Sequence, residues 1–307
     1  MDTQSLEAFV AVARQGSFSA AAEHLHLTQP AVSKRIASLE QRLGQRLFDR
    51  ISRQPRLTEA GRALLPRARR ILLDMADAHR ALDRLQDTVA GTLHLGISHH
   101  LGLHRLPPVL ASYTRRHPQV KLDISFQDSE RSAERVLSGE LEMAVGTLSP
   151  RLPETLGQYP IWQDELRVAV GPDHPLAGRQ QVDLSALGRH PAIVPGLHTH
   201  TGIILTGLFK QAGLELKVGL DTHFLETIKT MVAIGMGWSI LPDTLIDDSL
   251  HTLRLVDGQG REQHLSRQLG YQVHRERSLS NAALALAGLL REAADDLSRG
   301  RSADPHP

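Results

Sequence analysis

At 307 residues the chain exceeds what one hydrophobic core usually organises, so two or three domains are expected. Its 41% hydrophobic and 22% charged residues are ordinary for a globular protein, and no apolar run approaches the ~18 uncharged residues of a membrane span. Zero cysteines exclude disulfides, thiol catalysis and cysteine-ligated zinc or iron–sulfur centres. Residues 1–9 lack a basic segment followed by an apolar one, so the cytoplasm is the expected compartment. The net charge of +1 is unevenly spread: residues 28–70 hold 11 basic against 3 acidic side chains. That excess suits a polyanion, because each neutralised phosphate releases condensed counterions, although a solvated basic face has the same composition.

Leu6, Phe9, Val10 and Ala13 follow the i, i+3, i+4, i+7 stripe of an amphipathic helix that Gly16 ends. Ser17 is placed to cap a second, short helix carrying Ala21, Ala22 and Leu25 and closing at Leu27. Thr28 caps a third, whose first turn accommodates Pro30 without losing an internal hydrogen bond. Val32, Ile36 and Leu39 form its buried stripe, leaving Gln29, Ser33 and Lys34 outward. Helix-turn-helix docking needs short polar side chains at the start of the second helix of the pair, where they reach base edges in the major groove. Gln pairs with adenine through two hydrogen bonds, while Ser and Lys suit phosphate or guanine. Arg50, Arg53 and Arg56 then form a basic hairpin before Leu57-Thr58, a wing with Arg53 near its tip and suited to a narrow minor groove.

The run Phe9, Gly16-Ser17-Phe18, Ala21-Ala22, Leu25, Thr28-Gln29-Pro30-Ala31-Val32-Ser33, Ile36, Leu39-Glu40, Leu43-Gly44, Leu47-Phe48-Asp49-Arg50, Leu57-Thr58, Ala60-Gly61 strongly resembles the LysR-type regulator family. The resemblance implies double-stranded promoter DNA as partner, with Gln29, Pro30, Ser33, Lys34 and Arg53 contacting it. Lys34 departs from the arginine common there: it keeps a phosphate contact and loses the bidentate fork. The resemblance also leaves room for a contact with RNA polymerase.

From Glu59 one long helix is expected, with Leu64, Ala68, Ile71, Met75, Ala78, Leu82 and Leu85 spaced 4, 3, 4, 3, 4, 3. That heptad seam runs for roughly 30 Å and must be buried, either against its own domain or in a dimer. The resemblance implies a homodimer through residues 59–89 and a homotetramer above it. The domain plan is therefore an all-α winged helix-turn-helix over 1–58, a linker helix over 59–89 and an effector-binding domain over 90–307.

After Ala90-Gly91 strands alternate with helices: strand 92–98, helix 103–116, strand 120–126, helix 129–138 ended by Gly139, strand 141–146. A second unit follows from Asp164, with strands 166–170, 192–195, 215–220 and 238–241 and helices 201–211 and 224–234. Strand 268–273 and helix 279–297 return to the first lobe. This is an open α/β pattern with crossover helices. It resembles the two-lobed type 2 periplasmic-binding-protein fold, lobe I being 90–162 and 268–300 and lobe II 163–267, with Trp162 at the crossing. No G-x-G-x-x-G follows a strand and no G-x-S-x-G occurs, so no dinucleotide cofactor, nucleophile elbow or other catalytic constellation is expected. The Gly235-Met236-Gly237-Trp238 segment reads as backbone geometry and packing at a buried strand.

Ligands of open α/β sheets sit at the carboxyl ends of strands, against helix N-termini that attract anions. The strand ends here carry Ser98, His99 and His100; Thr147; His198, Thr199, His200 and Thr201; and Thr222 and His223. In the family, segments matching most of these line an effector cleft, which points to a small anion, a carboxylate first of all. Five of the seventeen histidines fall in these segments, a departure from the family's small polar residues. Three readings of them stay open: ordinary caps, charge-assisted ligand contacts, or a divalent metal site in a metal-responsive regulator. His198-x-His200 and His99-His100 are loose metal spacings, so no metal is assigned.

Overall fold

In a computed structural model of the chain, residues 2–49, 55–85 and 88–301 are described, and they fall into two compact units that divide between positions 86 and 87. The first contains α1 (Thr3–Gln15), α2 (Phe18–His24), α3 (Gln29–Leu43), β1 (Phe48–Asp49), β2 (Arg56–Leu57) and α4 (Glu59–Asp83). The Asp2 carboxylate accepts the Ser5 N–H to start α1, and Gly16 ends it at φ +62°. The second helix stops at His24 rather than Leu27, because His26 turns the chain at φ +54°, outside helical space. Leu6, Phe9, Ala21, Val32, Ile36 and Leu39 share one core as the stripes predicted, together with Val12 and Phe48, while Val10 and Ala13 of the expected stripe are only half-buried. Fully burying each of the larger side chains contributes about 1.5–3 kcal/mol, so this small unit rests on the stripes. Buried Glu40 accepts the N–H groups of Leu47 (2.8 Å) and Phe48 (3.3 Å), fixing the first wing strand to the end of α3.

The long helix α4 starts where Thr58 Oγ1 accepts the Gly61 N–H, and its seam divides in two. Leu64, Ala68 and Ile71 pack into the core of their own unit. Met75 and Ala78 are exposed, and so are Leu82 (62%) and Leu85 (81%). The first of the two fates foreseen, self-packing, thus holds for the N-terminal half of the stripe, and the stretch after it is left uncovered in the single chain.

The second unit runs β3 (Gly91–Ile97), α5 (His99–His104), α6 (Pro107–Arg116), β4 (Val120–Phe126), α7 (Ser129–Ser138), β5 (Met143–Thr147), β6 (Leu156–Val170), β7 (Gln181–Asp183), α8 (Leu184–Leu187), β8 (Ala192–Val194), α9 (His200–Gln211), β9 (Val218–Asp221), α10 (Leu225–Ala233), β10 (Trp238–Pro242), β11 (His251–Val256), β12 (Leu265–His274) and α11 (Asn281–Arg301). The sheet order is β4-β3-β5-β12-β6-β10-β8-β9. Strands β6 and β12 pair antiparallel over their length, from Leu166↔Leu265 to Leu156↔His274, and run from one lobe into the other. Trp162 is buried at this crossing, opposite Leu269. One apolar core surrounds β3, β5, α6 and α11, and others fill the second lobe around Trp238 and Ile228.

Several boundaries differ from the sequence expectation. The helix expected over 103–116 is two, because Pro107 and Pro108 lack N–H groups and push the preceding residue out of helical space. Strand β6 begins ten residues before the expected 166, with Pro160 at the irregularity beside Gly270 where a missing N–H does no harm. Strand β9 starts at Val218 rather than 215, and β7, α8 and β11 were not foreseen. Among the described residues no helix is long and apolar enough to cross a membrane.

Candidate functional site

In each lobe the inner strands are parallel, so their carboxyl ends and the following helix N-termini face the same way. The ends of β3, β5 and β8 and the starts of α5, α7, α9 and α10 line one cavity of about 240 Å³. Eight of the ten expected residues line it: Ser98, His99, His100, Thr147, Thr199, His200, Thr201 and His223. His198 and Thr222 do not. The His198 ring packs edge-on against His223 at 5.1 Å, and the Thr222 N–H donates to Val194 O, holding the end of β9.

The hydroxyls are not equivalent. Thr199 caps α9: its Oγ1 accepts the Gly202 N–H (3.1 Å) and donates its single hydrogen to the carbonyls of Pro195 and Gly196 (2.6 and 2.8 Å). It has no proton left for an anion. Among the described residues, the hydroxyls of Ser98 and Thr201 have no such commitment. The Thr147 N–H donates to Ser129 Oγ (2.8 Å), which ties β5 to the start of α7.

The positive charge comes from a residue the strand-end reading passed over. Arg267 of β12 lines the cavity with only 7% of its side chain exposed. It donates through Nε (3.3 Å) and Nη2 (3.0 Å) to Asp164 Oδ2, while Arg105 reaches Asp164 Oδ1 at 2.8 Å. Two guanidiniums thus share one buried carboxylate, and Arg267 brings its charge to a wall that also carries the carboxylates of Asp128 and Glu130. Burial pulls the Arg267 pKa down and Asp164 opposes it, but a guanidinium does not lose its proton in a protein. The buried imidazoles behave otherwise. Burial, then Arg267, brings His100 down to about 4, and burial, then Arg267 and Arg151, lowers His200, so both are neutral near pH 7. Near pH 7 the positive charge at this wall is therefore on Arg267 rather than on those two imidazoles.

A carboxylate of the protein already stands at the α9 N-terminus: Glu130 Oε1 accepts the His200 N–H at 2.7 Å, joining the start of α7 to that of α9. Burial pushes the Glu130 carboxyl up, and the His200 hydrogen bond offsets this only in part. Phe126 and Phe224 are half-exposed linings of the cavity, with the His99 ring edge-on to Phe224 at 5.0 Å.

In the first unit, Gln29, Pro30 and Lys34 are exposed at the start of α3 and Ser33 is half-buried beside them. Gln29 Nε2 donates to Ser33 Oγ at 2.9 Å. Arg53, with Arg50, lies outside the described residues.

Residues 3–62 match the sequence profile of the bacterial regulatory helix-turn-helix protein, lysR family, and residues 86–295 that of the LysR substrate binding domain. The chain belongs to the LysR family of transcription regulators. A relative from Azotobacter vinelandii, described as an uncharacterized HTH-type transcriptional regulator in the ibpB-leuC intergenic region, is 67% identical over 111 residues, covering 36% of this chain and 77% of that protein. The RuBisCO operon transcriptional regulator of Allochromatium vinosum is 30% identical over 253 residues, covering 82% and 83%. Among solved structures, a point variant of full-length OxyR from Pseudomonas aeruginosa has a TM-score of 0.70 at 22% identity, covering 95% of each chain. CbnR in complex with its target DNA has a TM-score of 0.60 at 23% identity, covering 95% of this chain and 100% of that one. At these identities the likeness is one of fold: an N-terminal helix-turn-helix and a C-terminal two-lobed α/β domain. The LysR substrate-binding region contains the whole cavity and its Arg267–Asp164–Arg105 cluster.

Proposed function

We propose that this LysR-family regulator binds promoter DNA through α3 and its wing, under control of a small carboxylate held in the cleft of its second unit. Buried Arg267 at the cavity wall carries this reading. The hydroxyls of Ser98 and Thr201 add donors, and Phe126 and Phe224 suit an apolar body. A carboxylate there makes charge-assisted hydrogen bonds, each contributing about 1.5–3 kcal/mol. The lining comes from both lobes, so the ligand favours closure, and about 1–3 kcal/mol of coupling to DNA affinity is enough for a useful response. The exposed part of the α4 seam, Met75 through Leu85, supports a homodimer, which places two copies of α3 on paired half-sites.

The test is a thermal melt of the full chain against carboxylates, inorganic anions and neutral analogues. A carboxylate at 100 times its Kd adds about 2.7 kcal/mol of stability, hence roughly 5–10 °C in the midpoint of a domain this size. Stabilisation by neutral analogues alone would sink the anion reading.

A second expected result concerns α3. Gln29→Ala is expected to weaken binding to the protein's own promoter by about 1–3 kcal/mol while leaving affinity for random DNA nearly unchanged. Electrophoretic titration of both DNAs at one salt concentration reads this directly. Equal losses on the two would remove Gln29 from base reading.

A further inference from the structure

Two clusters of imidazole and carboxylate groups lie in the second unit, His100–His104–Glu226 and Asp128–His198–His223, with donor atoms in each within 4.8 Å of one another. In the second cluster His198 and His223 are exposed, and the Asp128 carboxylate is engaged in capping α7 through the Arg131 N–H (2.6 Å). The first is built differently.

His100 and His104 stand one turn apart on α5, so their rings share a face, with centroids 4.8 Å apart. Glu226 comes from α10 in the other lobe. Its Oε1 is hydrogen-bonded to His104 Nε2 at 3.0 Å, a contact an ion would replace, and lies 3.6 Å from His100 Nδ1. Two ligand atoms at 2.0–2.1 Å from one tetrahedral ion stand about 3.4 Å apart, and the two distances bracket that value. The His100 side chain is 6% exposed, yet its Nδ1 has no hydrogen-bond partner, and neither has Glu226 Oε2. A separation of 3.6 Å is too long for a hydrogen bond between the imidazole and the carboxylate. The other ring nitrogen, Nε2, lies 3.2 Å from Thr244 Oγ1. If Nε2–H donates to Thr244, the Nδ1 lone pair points at the Glu226 oxygen, an arrangement that a cation between them resolves. An outer-shell partner that fixes the ring tautomer is what metal-binding histidines ordinarily have.

We propose that His100, His104 and Glu226 form a site for a divalent transition metal that ties α5 of one lobe to α10 of the other. Two imidazoles and one carboxylate favour Zn²⁺, Co²⁺ or Ni²⁺ over Mg²⁺ or Ca²⁺, and three protein ligands leave one position open. Because the ligands come from both lobes, the ion biases the same closure as a bound effector; His100 lines the effector cavity too, whereas His104 and Glu226 do not, so variants of those two test the metal site separately.

The experiment strips the full chain with a chelator and titrates it with Co²⁺, following visible absorption, then displaces the Co²⁺ with Zn²⁺ in a calorimeter. One ion per chain and a band stronger than that of aqueous Co²⁺ are expected. His104→Ala and Glu226→Gln are each expected to weaken binding by roughly 100-fold or more, and Thr244→Val by about 10–100-fold. His198→Ala is expected to change nothing. His104 is partly exposed, so its variant is not expected to unfold, and melts of the stripped variants check this. An unchanged titration in both His104→Ala and Glu226→Gln, no intensified Co²⁺ band, or loss in His198→Ala instead, overturns the proposal and leaves His100, His104 and Glu226 as a hydrogen-bonded imidazole–carboxylate cluster.

Discussion

Replacing Arg267 with Met is expected to raise the Kd of every stabilising carboxylate by roughly 10- to 150-fold, the equivalent of one charge-assisted hydrogen-bonded contact. Met keeps an unbranched apolar stem, although a shorter one, so the loss is chiefly of charge and donors. The same change strips Asp164, 1% exposed, of two hydrogen bonds. Removing one partner of a buried pair costs about 3–5 kcal/mol where the other charge is left alone. Here Arg105 stays 2.8 Å from Asp164, which puts the expected cost at the lower end or below. The double variant Arg267→Met with Asp164→Asn is expected to recover stability without recovering binding. If it recovers both, Arg267 is structural and the anion sits elsewhere. Glu130→Gln is the opposite case: it keeps an acceptor for the His200 N–H, removes a negative charge from the cavity wall, and is expected to tighten carboxylate binding. Since burial raises the Glu130 pKa, the wild type retains that proton to higher pH than a free carboxyl does. Carboxylate affinity is therefore expected to rise as pH falls toward that range, and Glu130→Gln to flatten the dependence.

The three helices of the head were legible because local rules govern them. The Ser17 cap, Gly16 and a 3.6-residue stripe leave little for long-range contacts to decide, although Thr28 stands at the N-cap of α3 without a side-chain hydrogen bond. In the second unit the parallel strands and their carboxyl ends could be read, and with them eight cavity residues. What was lost depends on pairings remote in sequence. Strand β7 is three residues that exist only because β11 lies beside them, and the long reach of β6 follows from its pairing with β12. The omission of Arg267 is instructive, since a signal was present. Leu265, Arg267 and Leu269 alternate with Ser266 and Gln268, which puts a guanidinium in phase with the buried face of a strand. A charge in that register needs a buried partner, and Asp164 answers it across 103 positions. Beginning the strand at 268 hid the alternation. The three readings of the histidines stayed open for a related reason: composition counts an imidazole as a chargeable group, whereas burial and then Arg267 lower the pKa of His100 and His200.

The geometry that presents the second-lobe half of the cavity rests on one backbone contact, and breaking it gives the other large expected effect. Gly202 follows Thr201 in the first turn of α9, and a Cβ added there would stand 2.0 Å from Gly196 O and 2.9 Å from Leu197 Cα. Those are backbone atoms, so no rotamer change relieves the overlap. Nor can the loop retreat freely, since Thr199 Oγ1 bonds the carbonyls of Pro195 and Gly196 and Gly196 holds φ +73°. Gly202→Ala is thus expected to cost about 1–3 kcal/mol, toward the top of the range for forced overpacking. For a unit of this size that lowers the melting midpoint by up to about 10 °C. It also draws the His200 N–H away from Glu130 and the Thr201 hydroxyl from the cavity, so any carboxylate-induced stabilisation is expected to disappear. Gly207 provides the contrast within the same helix: a Cβ there meets nothing within 4 Å, and Gly207→Ala is expected to add up to about 1 kcal/mol by helix propensity alone. Opposite signs from two identical substitutions five residues apart can come only from what each Cβ meets. Equal shifts would mean that α9 does not rest on Gly196, and the anion site would then lack the wall assigned to it.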